Sequence, residues 1–144
     1  MNFMTTQPIL PENFLAAKPG RISGAWATFF GLVRDHHDGR AVKRLHYECY
    51  ERMANSEIRR IREEMMARHG LDGLNILHRV GTLEIGEIAI AVACSSAHRA
   101  EAFAACEETV EKIKYTVPIW KKEFYEDGSS AWVAGCAHPA GSAA

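Results

Sequence analysis

From residue 22 the chain alternates. In "ISGAWATFFGLVR" one side of the alternation carries Ile22, Trp26, Thr28, Phe30 and Leu32, and the other carries Ala25, Ala27, Phe29 and Val33. Aromatic and β-branched residues suit a pleated surface, so the stretch predicts a strand covered on both faces. "DHHDG" (35–39) has turn composition and "AVKRLHYECY" (41–50) alternates again, which predicts a hairpin between the two strands. Residues 51–69 then change period. Met53, Ile58, Ile61 and Met65 share a helical stripe, Arg59/Glu63 and Arg60/Glu64 form i,i+4 pairs on the outer face, and Gly70 stops the helix.

"LNILHRVGTLEIGEIAIAVAC" predicts two strands around residues 81–86. The second alternates bulky residues with alanine, as a strand does when its small face lies against a helix. A second helix is expected to start at Ser95 and Ser96, which can cap it, and to run to about Lys114 with Phe103, Cys106, Val110 and Ile113 on one face. "EFYEDGSSAWV" carries the Asp-Gly signal of a hairpin, with Trp132 on the return strand. Residues 1–21 hold three of the five prolines and read as an arm with one short helix over 11–17, and residues 135–144 read as a flexible small-residue tail. Strands in pairs with two substantial helices predict an α+β fold for the body, 22–134: an antiparallel sheet packed with two main helices plus a small β-hairpin subdomain.

Composition narrows the function. A chain of 144 residues with 47% apolar and 24% charged residues is sized for one soluble domain, and a formal net charge of −1 argues against a nucleic-acid binder. Cys49, Cys94, Cys106 and Cys136 are far apart and form no C-x-x-C pair, so neither a zinc ribbon nor a disulfide scaffold is indicated. Cys94 and Cys106 read as reduced core residues. There is no signal-peptide pattern and no bilayer-length apolar run, and a cytoplasmic setting is expected. No phosphate-binding glycine motif occurs.

Candidate chemistry lies in three cationic clusters. Arg34 ends an apolar strand where the chain enters a loop. His98 and Arg99 stand in the first turn of a helix, where the dipole disfavours cations but free N–H groups favour an anion. The third cluster is "KIKYTVPIWKKE" (112–123). Lys112 and Lys114 point roughly 200° apart on a helix, so Lys112 is expected in solvent and Lys114, beside the Pro-Ile-Trp turn, in a site. Lys121 and Lys122 are adjacent on an extended segment and face opposite ways, so at most one joins Lys114. Apolar walls and neighbouring cations are what lysine acid–base chemistry requires. His36 and His37, between Asp35 and Asp38, offer metal donors, but adjacent residues rarely complete a zinc shell, and a hydrated loop is expected. Cationic clusters without paired acids or a thiol motif point to a phosphate-bearing small molecule.

"GLVRDHHDG", "HRVGTLEIGE", "SSAHRAEAF" and "KYTVPIWKKE" occur here in the order and at about the separations seen in the large (catalytic) subunit of molybdopterin synthase, the MoaE family, and the resemblance covers roughly residues 24–133. It implies an α/β hammerhead fold and a homodimer with a small ubiquitin-like sulfur carrier, MoaD, at each end, making a heterotetramer. It further implies sulfur transfer from the carrier's C-terminal Gly-Gly thiocarboxylate to cyclic pyranopterin monophosphate, forming the molybdopterin dithiolene without metal or cofactor at this step. By position, Lys114 and Lys121 match the family's catalytic lysines. Arg34, His98 and Arg99 match its anion-binding residues, and Phe29 an aromatic residue lining the approach. The chain departs from the pattern after Trp132, where some members carry an arginine that reaches the neighbouring protomer. Here "VAGCAHPAGSAA" has no Arg or Lys. That departure sustains an alternative, a non-catalytic docking module for the carrier tail. A phosphate-ester hydrolase, lacking nucleophile and metal site, ranks below both.

Overall fold

The computed structural model describes residues 1–133. Along the chain the elements are β1 (Met4–Thr5), α1 (Pro11–Phe14), β2 (Ala25–Leu32), β3 (His36–His37), β4 (Arg40–Cys49), α2 (Glu51–His69), β5 (Gly73–Arg79), β6 (Gly81–Glu84), β7 (Ile88–Ser96), α3 (Arg99–Thr116), β8 (Ile119–Tyr125) and β9 (Ser130–Val133). One sheet has the order β1-β5-β7-β2, with β1 parallel to β5 and the other pairs antiparallel. The second has the order β3-β4-β8-β9, antiparallel throughout, and β6 also pairs with β4. The α+β expectation holds, with a second sheet of five strands beside the first.

The main core lies between the first sheet and the two long helices. Ile58, Ile61 and Met65 of α2 meet Ala105, Cys106, Val110 and Ile113 of α3 over Ile90, Val92 and Cys94 of β7. Each such aliphatic side chain contributes about 1.5–3 kcal/mol when fully buried. β7 is buried along its whole length because it has a strand on either side. From Ile90 to Cys94 its bulky face joins the core with α3, while Ala91 lies in a smaller cluster with Ile88, Ile9, Phe14 and Phe30. The N-terminal arm therefore covers the small face, and α1 ends at Phe14, short of residue 17.

Several boundaries move for identifiable reasons. β2 is an edge strand, so Trp26, Phe29 and Leu32 are exposed rather than covered on both faces. β2 and β4 do not pair; they belong to different sheets. The hairpin is instead β3–β4, closed by Asp38 and Gly39 at positive φ (49° and 76°), the requirement of a tight two-residue turn. In α2 the buried stripe starts at Ala54, which is in phase with Ile58, Ile61 and Met65, and leaves Met53 exposed. Arg60 approaches Glu64 at 3.5 Å, while Arg59 donates to the Met1 carbonyl instead. Three strands replace the expected two over 73–96, because Gly81 at φ 96° redirects the chain from the first sheet to the second. Ser95 and Ser96 are the paired end of β7, opposite Gly73 and Ala25, so they do not cap α3; its N-cap is His98. Phe103 faces outward, and Ala102 and Ala105 take the buried positions near it. The expected tail, 135–144, with Cys136 and His138, lies outside the described residues. Among those described, Cys49, Cys94 and Cys106 are free. Cys94 and Cys106 are buried as expected, and the Cys94 thiol is pushed up by its neighbour Cys106 and by burial. No described helix is long and apolar enough to cross a membrane.

Candidate active site

Lys114 and Lys121 come together because the helix and the strand that carry them are joined by a rigid turn. α3 ends at Thr116. Val117, preceding Pro118, is extended (φ −84°, ψ 132°), as a residue before proline must be, and β8 starts two residues later. Val117 and Ile119 are fully buried and anchor the turn. Lys114 lies in the last turn of α3, where the helix dipole favours a cation, and is exposed. On β8 the alternation places Lys121, Glu123 and Tyr125 on one face and Lys122 and Phe124 on the other. Lys122 lies over the rings of Phe124 and Trp132, at 5.3 and 5.7 Å. Lys112 is not in open solvent; its Nζ is 3.5 Å from Glu64 of α2.

Lys114 and Lys121 line a cavity of about 190 Å³ together with Phe29, Arg34, His37 and Glu123. Four of the six sequence-derived site residues thus converge. His98 and Arg99 do not: they are exposed at the opposite end of α3. Over the fifteen residues from Arg99 to Lys114 the helix rise amounts to about 22 Å. Phe29 and Lys114 also border a groove of about 460 Å³ between β2 and α3, with Ala27, Phe103 and Val110 on its walls. A separate cavity under the N-terminal arm, about 360 Å³ and walled by residues such as Ile9, Phe14 and Leu77, carries no charged side chain.

Two participants escaped the sequence reading. Glu123 is 2% exposed beneath the lysines, with one carboxylate oxygen 4.0 Å from Lys121 Nζ. His37 is not part of a hydrated loop. It turns inward, and its Nδ1 lies 2.9 Å from Glu123 Oε2, while the Tyr125 hydroxyl donates to Glu123 Oε1 at 2.8 Å. The bond to Glu123 holds the Tyr125 phenol above its usual range. The period-2 alternation of β8 was the signal for Glu123, since it shares a face with Lys121. His37 was marked only as a metal donor in a loop, and nothing local pointed to its contact with Glu123. His36 stays outward, paired with Asp35, whose carboxyl it lowers. No three His, Cys, Asp or Glu side chains are grouped to hold a metal among the described residues. Arg34, Lys114 and Lys121 against one buried carboxylate leave the cavity net positive, suited to an anionic ligand.

The profile described as "MoaE protein" matches residues 4–116. The chain belongs to the MoaE family. Its relatives include the molybdopterin synthase catalytic subunit of Bacillus subtilis, 42% identical over 130 residues, covering 90% of this chain and 82% of that one. The crystal structure of molybdopterin synthase from Staphylococcus aureus superposes with a TM-score of 0.84 at 37% identity, covering 92% of this chain and 96% of that one. A solved complex of subunits 1 and 2 of molybdopterin-converting factor from Helicobacter pylori shares the fold, with a TM-score of 0.68 at 22% identity over 85% of this chain and 80% of that one. As a MoaE-family catalytic subunit, the chain works in molybdenum cofactor biosynthesis.

Proposed function

We infer that the cavity between α3 and β8 transfers sulfur from the thiocarboxylated Gly-Gly end of a small ubiquitin-like carrier (MoaD) to cyclic pyranopterin monophosphate, forming the dithiolene of molybdopterin. The observation that carries this reading is the convergence of Lys114, Lys121, Arg34 and Phe29 on one cationic cavity. Lys114 and Lys121 serve acid–base work at the pterin side-chain carbons and stabilise the charge that develops as the cyclic phosphate opens. Arg34 holds the phosphate. Phe29, shared by cavity and groove, lines the approach.

His98 and Arg99 fit this reading through a second copy of the chain. β2 is an open sheet edge that exposes Trp26, Phe29 and Leu32, and Phe103 is exposed on the groove beside it. A homodimer closed over this edge, with the two α3 helices antiparallel, brings His98 and Arg99 of one copy to the Lys114 end of the other. With one carrier per site the assembly is a heterotetramer, a reading supported by the complex of two different subunits from Helicobacter pylori. The division into an arm (1–21), a catalytic body (22–134) and a tail (135–144), and a cytoplasmic setting, belong to the same reading.

The test is reconstitution with thiocarboxylated carrier and cyclic precursor, reading out dithiolene formation. Lys114→Ala is expected to abolish conversion without changing the melting temperature. Near-wild-type conversion by that variant refutes the role of Lys114. Carrier co-purification with no turnover by the unmodified chain favours the docking-module alternative.

A further inference from the structure

We propose that His37 is a positioning residue for Lys121, acting through the buried carboxylate of Glu123. The inference rests on the sulfur-transfer reading for its kinetic consequence and on geometry alone for its structural one. A carboxylate that is 2% exposed needs donors to remain an anion. Glu123 has three neighbours able to supply them. His37 Nδ1 lies 2.9 Å from Oε2 and 3.1 Å from Oε1, the Tyr125 hydroxyl donates to Oε1 at 2.8 Å, and Lys121 Nζ lies 4.0 Å from Oε2.

Oε2 is therefore shared by the imidazole and the ammonium. The imidazole and the phenol fix the plane of the carboxylate, and the carboxylate draws the Lys121 ammonium to the cavity wall, where its side chain is 24% exposed. The support reaches one step further out. Arg40 stacks on the Tyr125 ring at 3.5 Å, and it also donates to Ser129 Oγ at 2.7 Å. The Asp38–Gly39 turn that returns the chain to β4 is what lays His37 over β8, and Asp38 Oδ2 lies 3.7 Å from the other imidazole nitrogen.

Removing the imidazole leaves Glu123 under-satisfied. The carboxylate then rotates or takes up a proton, and either response deprives Lys121 of its counter-charge. Asparagine at position 37 keeps an N–H donor near the place of Nδ1, so it preserves the arrangement, whereas leucine does not.

The full-length chain is made as wild type, His37→Leu, His37→Asn and Glu123→Gln, with folding checked by circular dichroism and melting. Each protein is treated briefly with limiting acetic anhydride, and acetylation of Lys121 is read by peptide mass spectrometry against exposed Lys43 in the same molecule. Lys121 acetylation is expected to rise roughly threefold or more in His37→Leu and Glu123→Gln, as the amine loses its anion, and to stay near wild type in His37→Asn. In reconstituted turnover, kcat is expected to fall roughly ten- to a hundredfold in His37→Leu with KM for the carrier unchanged, and to recover in His37→Asn. Unchanged Lys121 acetylation in folded His37→Leu and Glu123→Gln overturns the proposal, and so does a folded His37→Asn that behaves like His37→Leu. If His37→Leu does not fold, the contrast between His37→Asn and Glu123→Gln decides by the same labelling. Because acetylation needs no turnover, an absence of sulfur transfer in the wild type counts against the functional reading and leaves this one to its own readout.

Discussion

Lowering the pH should weaken the junction between the two sheets through a single imidazole. His78 of β5 is 2% exposed. Its Nδ1–H donates to the Arg79 carbonyl at 2.8 Å, and its ring meets Tyr47 of β4 edge-on at 5.2 Å. Tyr47 in turn lines the candidate active-site cavity. Burial lowers the His78 pKa from 6.5 to about 4. The folded state therefore holds the neutral ring while the unfolded chain takes up a proton below 6.5. The contribution is fully present above pH 6.5 and is lost as the pH falls toward 4. Each pH unit in that window removes about 1.4 kcal/mol, or roughly 3 kcal/mol across it. Carboxyls held low in the folded state, such as Glu87 through the Glu84 N–H and Arg79, and Glu57 through Arg60, also lose stability in acid. A variant must isolate the imidazole from them. Urea unfolding at pH 7.5, 6.5, 5.5 and 4.5, at fixed protein concentration, compares wild type with His78→Leu. The variant loses a constant amount at all pH values for the missing hydrogen bond. The difference between the two proteins should shrink by about 2–3 kcal/mol as pH falls. Parallel curves for the two proteins would refute the argument.

Two further outcomes follow from packing and pairing. Gly24→Ala places a Cβ 2.4 Å from the Ala97 carbonyl oxygen, a backbone atom next to His98, and should cost about 1–3 kcal/mol in chemical denaturation. Lys112→Ala removes a half-exposed ion pair with Glu64 and should change stability by under about 1 kcal/mol while leaving reconstituted turnover at the wild-type rate. A large loss of turnover there would mean that the cavity lysines have been wrongly separated from their neighbour.

Much of the cavity's geometry was legible where a local rule governed it. Helical spacing separated Lys112 from Lys114 and strand alternation separated Lys121 from Lys122, since each depends only on residues within one or two turns of chain; the turn expected at Pro-Ile-Trp is shorter, because Ile119 and Trp120 already belong to β8. The long helix 51–69 and its Gly70 stop were legible for the same reason. Errors arose where the answer depended on partners distant in sequence. Whether β2 is covered depends on its place at a sheet edge, and whether β2 and β4 form a hairpin depends on which sheet receives β4. Ser95 and Ser96 end a strand rather than starting a helix because Gly73 and Ala25 supply pairing partners that their own neighbours do not reveal. The buried Glu123 and the His37 that reaches it belong to this second class: they are 86 residues apart and meet only because β4 lies between β3 and β8. By itself the sequence separated Lys112 from Lys114 and Lys121 from Lys122, and its motifs carried the resemblance to the MoaE family. Tertiary structure alone decided what holds one of them in place, because a buried charge takes its partners from whichever strands the fold lays beside it.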